Sequence, residues 1–319
     1  MARHLEQRLK IRHLRVIEAL DQHKSLLRAS KALRVSQPAL SRTLQEVEEI
    51  VGGTIFERHP RGVRPNAMGR LLSQGAQRLL GTMRQMEVDL GELFLDRKRS
   101  IRVGALPVAA HGLLPAVLAH ADSQAVQLSI EVIEGLTDQL IPSLLSGDVD
   151  IIVGRLYEPP TPDGLIRRAL YSEPISLVAR SDHPLFELET PTNDDLQRFK
   201  IVSPAVSTRV EQDVRAALAA VGLQPDGSIR STSVGFMREL LLAGTFVSAM
   251  PRILVAGDLS RGLLKIVPIP LPPGRRLAGV IYRDVLGEAG ALLLSEISRE
   301  LERLAADGIV DLFDDQPVI

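Results

Sequence analysis

Residues 26–58 read LLRASKALRVSQPALSRTLQEVEEIVGGTIFER, and no other stretch limits the possible folds as strongly. Leu26–Leu33 fits one short helix and Arg34-Val35 a tight turn. Ser36 then fits the N-cap of a second helix: a serine hydroxyl there accepts an otherwise unpaired backbone N–H. Pro38 falls in the first turn, where its missing N–H costs little. Leu40, Leu44, Val47 and Val51 recur at steps of 4, 3 and 4, the period of one buried helical stripe. Gly52-Gly53 ends that helix. Upstream, Leu14, Ile17 and Leu20 line a further helix, and Ala29, Ala32 and Leu33 line the helix before the turn. The small Ala29 and Ala32 would let two helices approach closely. Gln37, Ser41 and Arg42 face away from the apolar stripe, so they are free to reach a partner.

Charge distribution admits two readings of these faces, a nucleic-acid contact or a solvated basic surface. The chain carries 38 Lys and Arg against 39 Asp and Glu, a formal net charge of −1. Residues 1–64 hold 13 basic and 7 acidic residues, so a segment of charge +6 is joined to a body of charge −7. That asymmetry is expected of a nucleic-acid module attached to something else. Residues 57–65, ERHPRGVRP, read as an exposed loop or hairpin. Arg28, Lys31 and Arg34 suit phosphate contacts or solubility.

Beyond it, Asn66 fits an N-cap after Pro65. Met68, Leu72, Ala76, Leu79, Met83, Met86, Leu90 and Leu93 then step by 3 or 4 along a heptad-like seam. The run Asp96-Arg97-Lys98-Arg99 breaks the pattern. Residues 101–300 alternate short Val, Ile and Leu-rich strands with amphipathic stretches, which predicts an α/β domain built around mainly parallel sheets. The predicted organisation is residues 1–65, then a helix over 66–96, then an α/β domain of 97–319.

Several function classes are disfavoured. No cysteine is present, which removes thiolate nucleophiles, iron–sulfur clusters and cysteine redox chemistry. The seven histidines form no HxxxH or HxH pair, and no Gly-rich phosphate loop, GxGxxG or GxSxG occurs, so neither a metal nor another cofactor is expected. No apolar run approaches the roughly 20 residues that span a bilayer, and Met1–Lys10 has no apolar secretory core. A cytoplasmic location without a membrane partner is the expectation.

Val35-Ser36-Gln37-Pro38-Ala39-Leu40-Ser41-Arg42, followed by Glu46, Glu48-Glu49, Gly52 and Ile55-Phe56-Glu57-Arg58, resembles the signature of the LysR-type transcriptional regulators. Ser30, Leu26 and Gly53 depart from it by small or apolar swaps. The resemblance implies an N-terminal all-α winged helix-turn-helix, a long linker helix and a two-lobed α/β sensor domain like a periplasmic binding protein. It implies that Ser36, Gln37, Pro38, Ser41 and Arg42 meet the major groove of double-stranded DNA. Glutamine there suits adenine, and arginine suits guanine or phosphate. Arg61 and Arg64, on the wing, would reach the minor groove or phosphate. The implied partners are DNA, a small-molecule effector, further copies of the chain in a homodimer or homotetramer, and RNA polymerase.

In such sensor domains ligands sit between the lobes, at strand ends and helix starts. Pro107, Val108, Gly135, Thr137, Arg155, Ser203, Thr232 and Phe246 are the positions that fit, with Thr137 and Thr208 read as helix caps. IRVGALP and VGRLYEP resemble the branch holding the galactose-binding-protein regulator and regulators of aromatic-acid catabolism, which implies a sugar or a small organic or aromatic acid. A free solute-binding protein and a small-molecule enzyme are the alternative classes. DNA binding separates both from a regulator.

Overall fold

The computed structural model describes residues 5–60, 62–95, 99–126, 128–157, 163–224, 227–272, 274, 276–283 and 286–318. The chain divides into two compact units, Met1–Lys98 with Ile141–Val149, and Arg99–Leu140 with Asp150–Ile319.

The first unit begins with helices α1 (Leu5–Arg8), α2 (Ile11–His23), α3 (Leu26–Ala32) and α4 (Gln37–Val51). Strands β1 (Phe56–His59) and β2 (Gly62–Pro65) form an antiparallel hairpin, and α5 (Ala67–Leu95) follows. Leu14, Ile17, Leu20, Leu40 and Val47 share one buried core with Ile55, Val63, Ala76 and Leu80. The turn between α3 and α4 places Arg34 in the left-handed region, φ 54°, and returns the Val35 N–H to Ser30 O. Close packing of α3 falls to Ala29 and Ser30, both buried, whereas Ala32 is exposed. Ser30 is tolerated because its hydroxyl donates to Leu27 O at 3.0 Å. Asn66 caps α5 as expected, accepting the Gly69 N–H at 2.9 Å.

Two glycines lock the hairpin to the helices. A Cβ on Gly62 would lie 2.1 Å from Lys24 O, and its φ of +130° is one that side chains rarely adopt. A Cβ on Gly69 would lie 2.1 Å from Ile55 O. The start of α5 therefore rests directly on the backbone that enters β1.

The second unit contains two mixed sheets, which makes it two-lobed. The six-stranded sheet runs β13-β6-β12-β5-β3-β4, from β3 (Arg99–Ala105), β4 (Leu128–Glu134), β5 (Ile151–Arg155), β6 (Ile166–Ser172), β12 (Leu277–Tyr282) and β13 (Asp311–Val318). Helices α6 (Pro107–Gly112), α7 (Leu114–Ser123) and α13 (Glu288–Ala306) accompany it, and α8 (Thr137–Ser146) follows β4, its residues from Ile141 on being counted with the first unit. The five-stranded sheet runs β11-β7-β10-β8-β9, from β7 (Ile175–Arg180), β8 (Lys200–Pro204), β9 (Arg230–Ser231), β10 (Phe246–Pro251) and β11 (Leu264–Ile266). Its helices are α9 (Asn193–Leu196), α10 (Thr208–Ala219), α11 (Val234–Ala243) and α12 (Ala256–Ser260).

Parallel pairing holds only within β3, β4 and β5 and within β8, β9 and β10; the other pairs are antiparallel. The expectation of mainly parallel sheets thus overstates the parallel share. The chain crosses from β6 to β7 and returns from β11 to β12, and strands leaving and re-entering a sheet this way run against their neighbours.

Gly69→Ala is predicted to lower the stability of the first unit by about 1–3 kcal/mol, the usual cost of overpacking. Urea unfolding of the purified chain checks this, and an unchanged midpoint would contradict the packing described.

Candidate DNA interface and interlobe cleft

Helix α4 is held entirely from one side. Leu40 and Val47 are buried to within 1%. Glu46 reaches α2, where its Oε2 lies 2.8 Å from Arg12 Nη2 and 3.2 Å from His13 Nε2. The hydrogen bond from His13, followed by Arg12, holds the Glu46 carboxyl below the usual carboxylate range. Glu48 turns the other way and accepts the Ile55 N–H at 3.0 Å, just before β1. The acidic run of the signature is therefore structural: it binds the helix to α2 and to the hairpin. Ser36 caps the helix by accepting the Ala39 N–H at 3.3 Å.

The opposite face is bare. Ser36, Gln37, Pro38 and Arg42 are exposed and Ser41 is half-buried. Arg64 is exposed on β2, opposite Glu57. Arg61 lies outside the described residues.

Helix α5 parts the predicted seam. Ala76 is buried and Leu72 packs against the core, whereas Met68, Leu79, Met83, Met86 and Leu90 are exposed. Leu71, outside the predicted seam, is 70% exposed and extends the apolar stripe. The Leu93 side chain lies outside the described residues.

In the second unit, β3, β4 and β5 end at Ala105, Glu134 and Arg155 on one edge of their sheet, with Pro107 and Thr137 starting helices there. The Leu106 N–H bonds Val153 O and the Gly135 N–H bonds Ala105 O. Pro107, Gly135 and Thr137 are half-buried. Thr137 is the first helical residue rather than the cap, since the first helical bond runs from Leu140 N–H to Leu136 O. Ser207, not Thr208, caps α10, accepting the Val210 N–H at 3.3 Å. Ser203 is half-buried on β8, and Thr232 is exposed next to Ser233, which caps α11. Val108 packs against the cores of both lobes, a structural task.

Phe246 is not brought to this group. β10 runs parallel to β8 with Phe246 opposite Lys200, at the far end of the strand from Ser203, and it packs against an apolar core. The sequence puts it on the right strand but does not reveal which strand end faces the cleft.

Arg155 is central. It ends the first-lobe strand β5 and pairs with Asp213 of the second-lobe helix α10, Nη1 to Oδ2 at 2.6 Å. Tyr157 lies between two guanidinium groups, with Arg155 Cζ 5.3 Å and Arg209 Cζ 4.8 Å from its ring centroid. At the crossovers, the Glu173 N–H bonds Arg276 O at 3.0 Å and the Arg276 N–H bonds Ser172 Oγ at 3.3 Å. Glu173 is 1% exposed. Burial pushes its carboxyl up to about 7, against the attraction of Arg155, the Tyr171 hydroxyl and Arg276. Tyr157, Glu173, Arg209, Asp213 and Arg276 escape a reading by strand ends and helix starts. They lie on crossovers and on helix α10, and of them only Tyr157, in VGRLYEP, and Arg209, beside Thr208, touch a motif that the sequence displays.

Among the described residues, no cluster of three or more His, Asp or Glu could hold a metal, and no helix is long and apolar enough to cross a membrane.

The Glu173 carboxyl has an ordinary unfolded value near 4.5 and a raised folded one near 7. Between these values the folded state binds the extra proton, so this group's contribution to stability falls as pH rises through the window. Glu173→Gln is predicted to gain thermal stability relative to the natural chain from pH 5 to 8. A difference independent of pH would contradict the buried carboxyl.

Comparison with known proteins agrees with this architecture. Residues 11–70 match the model of the bacterial regulatory helix-turn-helix protein of the lysR family. Residues 96–302 match the LysR substrate binding domain. The chain is 31% identical over 301 residues to the uncharacterized HTH-type transcriptional regulator YdcI of Escherichia coli (strain K12), covering 92% of this chain and 96% of that one. It is 29% identical to the HTH-type transcriptional regulator PcaQ of Agrobacterium fabrum, covering 95% and 98%. Among solved structures, a full-length OxyR from Pseudomonas aeruginosa shares the fold at TM-score 0.57, 23% identity and coverage of 91% and 97%. CbnR, a LysR family transcriptional regulator, does so at 0.56, 17%, and 92% and 99%. With two matched domain models and close to full-length relatives, the chain belongs to the LysR family of DNA-binding transcriptional regulators, with a helix-turn-helix and an effector-binding domain.

Proposed function

We propose that this chain is a cytoplasmic regulator that grips promoter DNA as an oligomer and changes that grip when a small sugar or organic acid enters the interlobe cleft. The observation that carries the reading is the one-sided anchoring of α4. Its inner face is buried at Leu40 and Val47, while Gln37 and Arg42 stand exposed. Ser36, Pro38 and Ser41 would complete the groove contacts, and Arg64 with Arg61 the wing. In this division residues 1–65 read DNA, 66–96 link, and 97–319 sense.

The exposed stripe of α5 supports assembly. A single chain leaves Leu71, Leu79, Met86 and Leu90 more than half exposed, at a cost that pairing with a second copy would remove. Two heads would then act on one dyad-symmetric site, with RNA polymerase as a further partner on the promoter. Pro107, Gly135, Thr137, Arg155, Ser203 and Thr232 are the proposed effector contacts. A coupling of about 1–3 kcal/mol between effector and DNA would alter affinity roughly 5–150-fold. The reading contains no catalytic step.

Arg42→Ala is predicted to weaken operator binding by about 1–3 kcal/mol if its base contact is bidentate, measured by gel shift on a DNA fragment recovered by footprinting. Undiminished binding would sink the assignment of α4. Leu79→Glu should leave the fold intact, because Leu79 is 57% exposed in one chain, yet give monomers in sedimentation. A normal-sized oligomer would exclude the seam.

A further inference from the structure

Arg84 ties α2, α5 and the end of α8 together within the first unit. Leu80 of α5 shares one buried core with Leu14 and Ile17 of α2. Arg84 lies one turn beyond Leu80, on the same side of the helix. Its Nε donates to Ser146 O at 2.6 Å, and its Nη2 donates to Glu18 Oε1 of α2 at 3.2 Å. The Glu18 side chain is 13% exposed and Ser146 is buried. Both acceptors are thus largely out of water, where a charge-assisted bond is stronger than on the surface.

Helix α8 carries that contact away from the core. Ser146 is its last residue, and the final carbonyls of a helix have no helical N–H to accept. A guanidinium there also meets the negative end of the helix dipole. The other end of α8 is Thr137, close to Gly135, both proposed effector contacts. The division between the two compact units falls inside this helix, between Leu140 and Ile141. Pro142 stands just past that point and has no N–H for the Asp138 carbonyl, which makes it a place where the helix can bend. On the far side, α2 also carries Arg12 and His13, which hold Glu46 of α4. A continuous series of bonded groups therefore leads from the start of α8 through Ser146, Arg84 and Glu18 to the helix that bears Gln37 and Arg42.

We propose that Arg84 is the residue that couples sensing to DNA reading. A shift of α8 pulls on the fork at Ser146 and, through Glu18, on α2 and α4; DNA held at α4 restrains the end of α8 by the same fork. This rests on the reading of the chain as a regulator with its effector at the start of α8, and it names the route between the two. Coupling free energy is reciprocal, so the route can be read from the DNA side without an effector.

The test is hydrogen exchange of the full chain, with and without a DNA fragment that the natural chain enriches from a random pool. The Asp148 and Val149 N–H groups both bond Ser143 O and report on the end of α8. In the natural chain, DNA should slow exchange over residues 137–149 about fivefold or more, the low end of a usual coupling. Arg84→Met keeps the apolar stem without the donors. It should abolish that slowing while DNA still protects residues 37–51. Glu18→Met leaves the bond to Ser146 in place and cuts only the link to α2, and it should abolish the slowing as well. A mere helix cap would behave otherwise, because Glu18→Met would then leave the DNA effect on residues 137–149 unchanged. If Arg84→Met does not fold, Glu18→Met decides. A natural slowing in either folded variant, or no slowing over 137–149 in a natural chain whose residues 37–51 are protected, would overturn the proposal and leave the regulator reading in place. No protection of residues 37–51 in the natural chain would overturn both.

Discussion

Glu46 and Glu48 sit two residues apart on α4 and pull in different directions, one onto Arg12 and His13 of α2, the other onto the Ile55 N–H at the entrance to the hairpin. Between them they favour one rotation and one tilt of the helix, each by a modest amount since the Arg12–Glu46 pair is exposed. Hydrophobic burial of Leu40 and Val47 alone would hold the helix to the core but would leave its rotation softer, because burial is non-directional. Directional bonds to two different elements remove that freedom. The exposed face, with Gln37 and Arg42, inherits its orientation from those two carboxylates.

The same logic recurs in the second unit. Arg155 leaves a strand of one lobe and meets Asp213 on a helix of the other, while Glu173 and Arg276 tie the two crossing strands through their backbones. Coulomb attraction between partly buried groups depends steeply on their surroundings. The hydroxyls at helix starts, by contrast, are largely occupied with capping, as Ser207 and Ser233 show.

Much of the first unit was legible in the sequence because local rules and packing agree there. The Ser36 cap, the Asn66 cap and the Leu40–Val47 stripe all stand where spacing puts them. The second unit was legible as alternation but not as topology. β6, with sequence IRRALYS, hides its strand character behind two arginines, one of which is buried on Asp163. β13, with sequence DLFDDQPV, carries three aspartates and a proline, which obscure a strand. The crossover charges could not be paired from sequence, since Glu173 and Arg276 are more than a hundred residues apart and meet only when the chain returns. β8 and β10 are parallel, as the alternation suggests, and Phe246 lies apart from Ser203 because it opens its strand whereas Ser203 nears the end of its own.

The central claim is that α4 presents a fixed, sequence-reading face. Selection of bound fragments from a random DNA pool, with the natural chain and with Gln37→Ala, addresses it most directly. The account predicts that the natural chain enriches a dyad-symmetric sequence and that Gln37→Ala loses preference at one base pair in each half-site while still enriching the rest. Enrichment of the same sequence at every position by both proteins, or of none by the natural chain, would contradict it.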